Sequence, residues 1–488
     1  TTPAAGAVNG VAFTTQPVIT IQDQSNNTVA NLTSVITVSS SGSVLSSNNA
    51  TLTVNAVAGV ATFANALKLT GAASTYTLTY TASALSLSET QSITVTAGAA
   101  TQLAVTTQAA GFVNRADFTT APAVSIQDAS GNLVTTATDS ITVSIDSGNL
   151  TGTRTVAAVG GVATFTGLGK NGTIGLKTMT FHTGSLTDAT QQFTLTFGAA
   201  YQLAKTTPAA GFTNAVAFTT QPKITIQDQD ANTVADSTAT VTVTASPAGL
   251  GGTTSMAAVA GVADFSRIID PGFGLKGEAG SYTIAYSATT SAAVSLTRSQ
   301  NITVTHGAAA VVRFKSAGQP QAQIAAGAIF APVPELELFD LYGNKVDTNS
   351  TAKLEVDLVA AANTSSVIRT YGDSTPIQFT AVLGEVALTG MSFDNVPANY
   401  RLKVRLINSS SATINSIYSD SFAIIPGAPA QFIITTGSLP DTQTAVAMNP
   451  APTFEIRDQF GYKVNTDSLT VVTATISTNP GSGTLSGG

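Results

Sequence analysis

The chain contains 488 residues, of which 43% are hydrophobic and only 10% charged, and it has a net charge of −7 and no cysteine. Because domains usually contain about 100 to 200 residues, this chain is too long for a single hydrophobic core. The acidic balance argues against nucleic acid as a partner, since phosphate binding needs clustered Lys and Arg. The lack of cysteine excludes disulfides and cysteine-based catalysis or metal sites, and no window is apolar enough to cross a membrane as a helix.

A motif near the start of the chain recurs five times. It is Phe-Thr-Thr-Gln-Pro at residues 13–17, it returns at 118–122 (with one change) and at 218–222, and it degenerates at 330–334 and 448–452. In every copy an aspartate follows the final proline by six residues. Between the proline and the aspartate the side chains alternate between apolar and polar, which is typical of a half-buried β-strand. One spacing repeated five times predicts five similar structural units.

The aspartate opens a predicted turn, as in Asp128-Ala-Ser-Gly131-Asn132. In such a turn glycine takes a positive φ, and Asp or Asn bonds the local backbone. Asn26 and Ala231 replace the glycine in the first and third copies, and because alanine fits a left-handed conformation poorly, we expect the third turn to differ in type. The residues predicted to form these structural turns are Asp23, Asp128, Gly131, Asn132, Asp228, Asp340, Gly343, Asn344 and Asp458.

A second motif lies later in each unit. It is Gly-Val-Ala-Thr-Phe at residues 59–63 and 161–165, and it returns with one change at 261–265 and as a short echo at 382–384. The glycine marks a turn, and the phenylalanine anchors the next strand in the core. Several short strands separated by frequent turn signals predict an all-β fold made of tandem immunoglobulin-like β-sandwich domains.

Short junctions rich in glycine and alanine divide the chain. The predicted units are repeat 1 at residues 1–97, repeat 2 at 98–197, repeat 3 at 198–306, a divergent repeat 4 at 307–426 and a partial repeat 5 at 427–488. The junctions are too short to act as flexible linkers, so we expect neighbouring repeats to sit end to end in an elongated rod.

Two features set repeats 4 and 5 apart from the others. Repeat 4 has a longer insertion around Val367 to Ile377, and repeat 5 stops before its Gly-Val-Ala-Thr-Phe strand. Either the chain is an excerpt from a longer array, or a neighbouring subunit completes the last sheet by strand addition.

The order of strand, Asp-x-x-Gly-Asn turn, Ala-Gly-Val-Ala-Thr-Phe segment and closing threonine-rich strand resembles the bacterial immunoglobulin-like repeats of invasin- and intimin-type surface proteins. The resemblance is strong over residues 1–309 and weaker over 310–488. Its motifs are specific for the fold and not for a ligand. It implies export, display on a prokaryotic cell surface, and a role as a stalk, an adhesin or a surface-layer component.

One turn has some features of a metal site. Asp228-Gln-Asp230-Ala-Asn232 has the alternating oxygen ligands of a calcium-binding loop. It lacks the glycine at the sixth position and the glutamate at the twelfth that complete such a loop. A hydrogen-bonded turn is therefore the favoured interpretation, calcium bound by Asp228, Asp230 and Asn232 is the alternative, and no other cofactor is predicted.

A basic row in repeat 4 is a second candidate site. Arg401, Lys403 and Arg405 alternate with apolar residues, so we expect them to share one face of a strand. The row could bind an anionic cell-surface glycan or acidic residues of a neighbouring subunit. The alternative is a strand face that is solvated or paired within the chain.

Catalysis is not expected, because the only histidines, His182 and His306, lie in different repeats. We predict a non-catalytic, extracellular structural protein that self-associates with identical subunits in a surface layer, filament or stalk. One alternative is an adhesin whose binding tip lies in repeats 4 and 5 or outside this segment. Another is the accessory region of a secreted polysaccharide-acting enzyme.

Overall fold

The computed structural model of the chain describes residues 1–47, 52–64, 66–267, 274–368, 376–394 and 397–487, with the backbone alone for 363–368. The strands of repeat 1 are β1 (Val18–Thr20), β2 (Val35–Ser40), β3 (Val44–Ser46), β4 (Thr53–Asn55), β5 (Val60–Thr62), β6 (Lys68–Thr70), β7 (Thr75–Ala82) and β8 (Leu87–Thr94). Those of repeat 2 are β9 (Gln102–Thr107), β10 (Ala123–Gln127), β11 (Ser140–Ile145), β12 (Asn149–Thr151), β13 (Thr155–Ala157), β14 (Val162–Thr164), β15 (Gly169–Asn171), β16 (Gly175–His182) and β17 (Ala189–Leu195).

The same order continues in the later repeats. The strands of repeat 3 are β18 (Gln202–Thr207), β19 (Lys223–Gln227), β20 (Thr240–Ser246), β21 (Leu250–Gly251), β22 (Ser255–Ala257), β23 (Val262–Asp264), β24 (Gly274–Leu275), β25 (Gly280–Thr289) and β26 (Ser295–Val304). Those of repeat 4 are β27 (Val311–Phe314), β28 (Gln323–Ala325), β29 (Glu335–Phe339), β30 (Lys353–Ala360), β31 (Asn363–Ile368), β32 (Ile377–Thr380), β33 (Glu385–Ala387), β34 (Asn399–Ile407), β35 (Thr413–Tyr418) and β36 (Phe422–Ile425). Repeat 5 contains β37 (Gln431–Ile434) and β38 (Phe454–Arg457), and short 3₁₀ helices cover Ser83–Leu85 and Phe265–Arg267.

Repeats 2 and 3 share one antiparallel sandwich topology. In repeat 2 a three-stranded sheet, β14-β10-β9, faces a four-stranded sheet, β13-β11-β16-β17, and β12 pairs with β15 at one side. Repeat 3 repeats this pattern as β18-β19-β23, β22-β20-β25-β26 and β21-β24. The predicted all-β fold of tandem immunoglobulin-like sandwiches is thereby confirmed.

The core of each sandwich lies between its two sheets. In repeat 2, Val124 and Ile126 of the smaller sheet and Met179 and Phe181 of the larger one are fully buried in one cluster, together with Phe165 from the second motif. The alternation along β16 and β17 directs every second side chain into this cluster. Truncating such a buried aromatic side chain to alanine typically costs about 3 to 5 kcal/mol.

A buried glutamine attaches the loop that later forms the junction. Gln191 on β17 accepts a hydrogen bond from the N–H of Ala109 and donates one to the carbonyl of the same residue, both at 2.9 Å. Gln91 and Gln300 make the same pair of bonds with Ala4 and Ala209 in repeats 1 and 3. The Ala-Ala-Gly segment is therefore held against the last strand of each sandwich.

Repeat 4 departs from this pattern. Its larger sheet follows the path β28-β36-β34-β30-β31, with β32 also paired to β30 and β35 to β34. Most of the predicted insertion around Val367 to Ile377 lies outside the described residues. Repeat 5 is the antiparallel pair β37-β38 followed by irregular chain. Among the described residues no helix has the length and apolar character needed to cross a bilayer.

A lysine occupies a core position in repeat 2. The carbonyl of Lys170 accepts a bond from Arg115 N–H, just as Leu69 and Leu275 accept from Gly10 and Ala215 in repeats 1 and 3. Lys170 is 0% exposed, burial lowers the pKa of its ammonium group, and the ammonium group donates to the carbonyl of Asn171. Lys170 thus takes the place of a core leucine.

We expect Lys170→Leu to raise the unfolding free energy of repeat 2 by about 1 to 3 kcal/mol, because it removes a desolvated ammonium group from an apolar position. Hydrogen exchange of the β16 amides in the full chain measures this change. The control is Lys276→Leu at an exposed position of repeat 3, which should change stability by less than about 0.5 kcal/mol. Faster exchange in the Lys170 variant would contradict the expectation.

Candidate functional site

Each predicted aspartate turn forms around one carboxylate oxygen. Asp128 Oδ1 accepts hydrogen bonds from the backbone N–H groups of Ser130 (2.9 Å) and Asn132 (3.0 Å), and Gly131 has a φ of +83°. The carboxylates of the other four repeats cap their turns in the same way. The sequence motif therefore encodes a local cap.

The expectation that the third turn differs in type was wrong. Ala231 adopts a φ of +64°, and the bonds from its N–H to Asp228 O and from Asp228 N–H to Asn232 O match those of the Gly131 turn. The two backbone N–H bonds to Asp228 Oδ1 hold the conformation, and they offset the cost of a left-handed alanine, which is about 1 kcal/mol.

The second oxygen of the aspartate faces the preceding repeat. Asp128 Oδ2 accepts from Asn9 Nδ2 of repeat 1 at 2.7 Å and from the N–H of junction residue Gly98 at 2.8 Å. Asn132 reaches the same end of repeat 1, where its Nδ2 donates to Gly71 O and its Oδ1 accepts from Ala73 N–H. We call this set of bonds the junction clamp.

The same clamp forms at the next two junctions. Asn114 Nδ2 donates to Asp228 Oδ2 and Asn214 Nδ2 to Asp340 Oδ2, both at 2.8 Å. The remaining members are the N–H groups of Gly198 and Gly307, the amides of Asn232 and Asn344, and the backbone of Gly172, Ile174, Gly277 and Ala279. The residues Asp128, Asp228 and Asp340 are no more than 2% exposed.

Glycine is required at the junction for space. A Cβ atom on Gly198 would lie 2.5 Å from the carbonyl oxygen of Asn114, and one on Gly98 would lie 2.7 Å from that of Asn9. Neither distance is compatible with a side chain unless the backbone shifts. The recurring glycine thus allows the two repeats to approach closely enough for the clamp to form.

The junction between repeats 4 and 5 uses different side chains. Asp458 Oδ2 still accepts from Gly427 N–H at 2.8 Å, but Ala326 stands where repeats 1 to 3 have the donor asparagine. Tyr462 replaces the turn asparagine and donates through its hydroxyl to Asp394 O, and the ring of Phe460 lies against Gly327. An aromatic contact therefore takes over from the amide bonds.

The clamp favours the ionised aspartate. Burial alone would raise the pKa of Asp128, but the hydrogen bonds from Asn132, Gly98 and Asn9 outweigh it and hold the pKa well below its ordinary value of 3.8. The corresponding bonds lower the pKa of Asp228 and Asp340 as well. Charge-assisted bonds of this kind are shorter and stronger than neutral ones.

The calcium candidates take part in the second clamp. Asp228, Asp230 and Asn232 lie together, but their oxygens are directed at N–H donors, and Arg115 forms a two-pronged ion pair with Asp230 at 2.7 and 2.8 Å. The bond from Arg115 is the first cause that lowers the pKa of Asp230 to about 2. This arrangement favours a hydrogen-bonded turn, because a cation would have to displace a guanidinium group. No group of three or more His, Cys, Asp or Glu side chains suited to a metal occurs among the described residues.

The basic row of repeat 4 is largely paired within the chain. Arg401, Lys403 and Arg405 share the outer face of β34, as their alternation with buried residues indicates. Arg405 contacts both Glu355 (2.9 Å) and Asp357 (3.0 Å) on neighbouring β30. The guanidinium group of Arg401 donates to Ser419 O at 3.5 Å, and Lys403 Nζ lies 5.9 Å from the ring centroid of Tyr418. Binding of a polyanion or a subunit to this row stays a prediction.

The two histidines lie apart, in repeat 2 and at the junction of repeats 3 and 4. His182 Nδ1 contacts Asp188 Oδ1 at 2.7 Å on an exposed surface. His306 contacts Gly307 O through Nδ1 and Thr348 Oγ1 through Nε2, each at 2.8 Å. Asp347 approaches the same Nε2 atom at 3.4 Å, so the carboxylate does not orient the ring from the far nitrogen as a catalytic triad requires.

Sequence reasoning missed the partner asparagines Asn9, Asn114 and Asn214. Each stands four residues before the phenylalanine of the first motif, at positions that the turn analysis did not consider. A usable signal exists, because all three junctions with this asparagine also have asparagine in the following turn. At the fourth junction both residues change together, to Ala326 and Tyr462.

No family model and no curated protein matches the chain. Solved structures similar to it include invasin, a bacterial integrin-binding protein, with 12% identity over 90% of this chain and 81% of invasin and a TM-score of 0.30. They also include the Escherichia coli adhesin FdeC (12% identity, 65% and 95% covered, TM-score 0.29) and the D0-D1 domain of intimin (13%, 40% and 95%, TM-score 0.16). Similarity at this level assigns no ligand to the chain.

Removing the charge of one clamp aspartate should loosen its junction. Asp228→Asn keeps the side chain's size but turns an acceptor into a donor, so buried N–H groups lose their partner at a cost of about 1 to 3 kcal/mol. Because the chain lacks cysteine, Thr155→Cys and Ser255→Cys place spin labels at exposed positions of repeats 2 and 3. We expect a broader distance distribution between these labels in the Asp228 variant.

Two further variants decide how that broadening is interpreted. Asn114→Ala leaves the Asp228 turn intact and should broaden the distribution as well, whereas Asp236→Asn, at an exposed position of repeat 3, should not. Equal widths in the Asp228 and Asp236 variants would refute the role of the clamp.

Low pH should open the clamps. The pKa of Asp128, Asp228 and Asp340 is lower in the folded junction than the ordinary value of 3.8, so their contribution is fully present above that value. It is lost as the pH falls through the lowered folded-state values. We expect an unchanged label distance from pH 8 to pH 5 and progressive broadening only below about pH 4. Broadening that is already complete at pH 5 would contradict this expectation.

Proposed function

We propose that the chain is a non-catalytic repeat segment of an extracellular surface protein, and that it serves as a stalk holding a binding or anchoring part at a set distance. The junction clamp is the observation that carries this proposal. Three successive junctions use the same buried bonds between Asp, Asn and Gly. Coupling of this kind transmits the orientation of each repeat to the next, so that reach follows from repeat number.

The distribution of unusual ionisable groups supports a structural role. Strongly perturbed pKa values often mark catalytic groups. In repeats 2 to 4 the buried aspartates with lowered pKa, Asp128, Asp228 and Asp340, accept bonds from fixed backbone and amide N–H groups at the junctions. Such groups are committed to packing and not available to a substrate. The low content of charged residues and the mild acidic excess are in keeping with a spacer that carries no charged binding surface.

Self-association with identical subunits in a layer or filament is the second candidate. Repeat 5 favours it, because Phe432, Leu469 and Val471 are 59%, 89% and 85% exposed. Phe432 and Val471 line the same surface cleft, and apolar side chains exposed together are typical of an interaction surface. An adhesin that binds glycan through Arg401, Lys403 and Arg405 has less support, since Arg405 already contacts two carboxylates.

The stalk proposal is tested by a triple variant, Asn9→Ala, Asn114→Ala and Asn214→Ala, in the full chain. We expect small-angle X-ray scattering to give a smaller mean radius of gyration and a broader size distribution for the variant, because three clamps are lost while each core is kept. Scattering curves that superimpose for the two proteins would contradict the stalk proposal.

Sedimentation velocity separates the two candidates. A stalk keeps the mass of one chain as concentration rises, whereas a self-assembling subunit gains mass. That gain should disappear in a Leu469→Ser and Val471→Ser variant if repeat 5 is the contact.

A further inference from the structure

The turn of repeat 1 contains one half of a junction clamp. Asp23 Oδ1 accepts from the N–H groups of Ser25 and Asn27, both at 2.9 Å, as in the other turns. Asn27 occupies the turn position of Asn132 and donates to Asp23 Oδ2 at 3.2 Å. The side chains of Asp23 and Asn27 are nevertheless exposed, whereas the aspartates of the other four turns are buried.

In repeat 2 the second carboxylate oxygen and the turn asparagine bind the preceding repeat, but their counterparts in repeat 1 bind no neighbouring repeat among the described residues. Asp128 Oδ2 binds Asn9 Nδ2 and Gly98 N–H, but within the described part of the chain Asp23 Oδ2 accepts only from its own turn. Asn27 likewise makes no counterpart of the bonds from Asn132 to repeat 1. A preformed acceptor and a preformed amide therefore project from this end of repeat 1.

The edge of β1 is open in the same region. Strands β10 and β19 are paired on both sides, by β9 and β14 and by β18 and β23. Among the described residues, β1 pairs over its length only with β5, and Thr2 bridges to Val18 at its start. Thr20, the counterpart of Ser125 in β10, thus lies on a strand edge that β9 covers in repeat 2, and this edge is a second feature that would accept a neighbour.

The four junctions of the chain define which kind of neighbour fits. An asparagine end (Asn9, Asn114 or Asn214) always meets a turn with asparagine at its fifth residue, and the end with Ala326 and Gly327 meets the turn with Phe460 and Tyr462. We expect the two kinds not to interchange, because Ala326 has no amide to donate and Ser25, the counterpart of Phe460, has no ring to cover a glycine. Asp23 and Asn27 belong to the first kind.

We propose that the Asp23 turn and the β1 edge form an interaction surface for the asparagine-bearing end of an immunoglobulin-like repeat. The edge accepts the strand that follows this end after the junction, which corresponds to β9. The incoming asparagine donates its amide to Asp23 Oδ2, and the glycine loop beside it binds the amide of Asn27. The strand pairs with β1 as β9 pairs with β10. An end of the Ala326 kind is excluded.

The test uses two fusion proteins. One adds a repeat with an asparagine-bearing end before Thr1 of the full chain, and the other adds repeat 4, whose end carries Ala326. In the first fusion, residues 98–205 precede Thr1, so that the segment after Lys205 continues as Thr-Thr-Pro, as it does in repeat 3. In the second, residues 307–434 precede Thr1, which likewise preserves the Thr-Thr pair. Spin labels are placed at Thr53→Cys of repeat 1 and at Thr155→Cys or Thr380→Cys of the added copy, all exposed positions.

We expect the first fusion to give a distance distribution as narrow as that between labels at Thr155 and Ser255 in the unfused chain. Asn114→Ala in the added copy alone should broaden it about twofold or more, and this variant leaves repeat 1 untouched. The second fusion should be as broad as that variant.

Two outcomes would overturn the proposal. The first is a wide distribution in the first fusion that Asn114→Ala does not change. The second is an equally narrow distribution in both fusions, which would show that any repeat docks. The stalk proposal is tested at the internal junctions of the unfused chain. Its failure is therefore distinguishable from the failure of the present proposal, which is tested only in the fusions.

Discussion

The structure depends on one aspartate in each turn whose two carboxylate oxygens bind different partners. In each turn Oδ1 binds the N–H groups of its own backbone, while at four junctions Oδ2 binds a neighbouring group. A buried carboxylate is costly to desolvate, and here five donor groups at each of the first three junctions and three at the fourth compensate that cost. Local folding and the placement of the next repeat therefore rest on the same atoms.

This arrangement gives a simple rule for building an array. Each sandwich of repeats 1 to 3 presents asparagine and glycine at one end and aspartate and asparagine at the other, so that a repeat which folds correctly also presents a correctly oriented junction. The bonds between Gln191 and Ala109 contribute to this placement, because they hold the segment that leads to Asn114 against the last strand. The junction segments are short, and we expect neighbouring repeats to reorient little relative to each other.

Much of the fold could be predicted from sequence. The alternation before Asp128 and the recurrence of Gly-Val-Ala-Thr-Phe follow from a period of two and from turn chemistry, which act over a few residues. The junction clamp could not be predicted in that way, since Asn9 and Asp128 are separated by 119 residues and meet only when two domains are in place. The conformation of Ala231 was missed for a related reason: propensity disfavours it, and the hydrogen bonds of the turn override propensity.

The basic row illustrates the same limit. Its shared face on β34 followed from alternation, but the partners of Arg405 come from β30, whose register against β34 no local pattern specifies. Charged side chains that look free along one strand can thus be committed across the sheet.

The central claim is that the asparagine and aspartate of a junction stabilise it through a direct interaction. A double-mutant cycle with Asn214→Ala and Asp340→Asn at the junction of repeats 3 and 4, read by the free energy of docking from label distances, tests this claim most directly. We predict a coupling energy of about 1 to 3 kcal/mol, as expected for a buried bond to a charged group. Effects of the two substitutions that simply add would contradict it, because each residue would then act without the other.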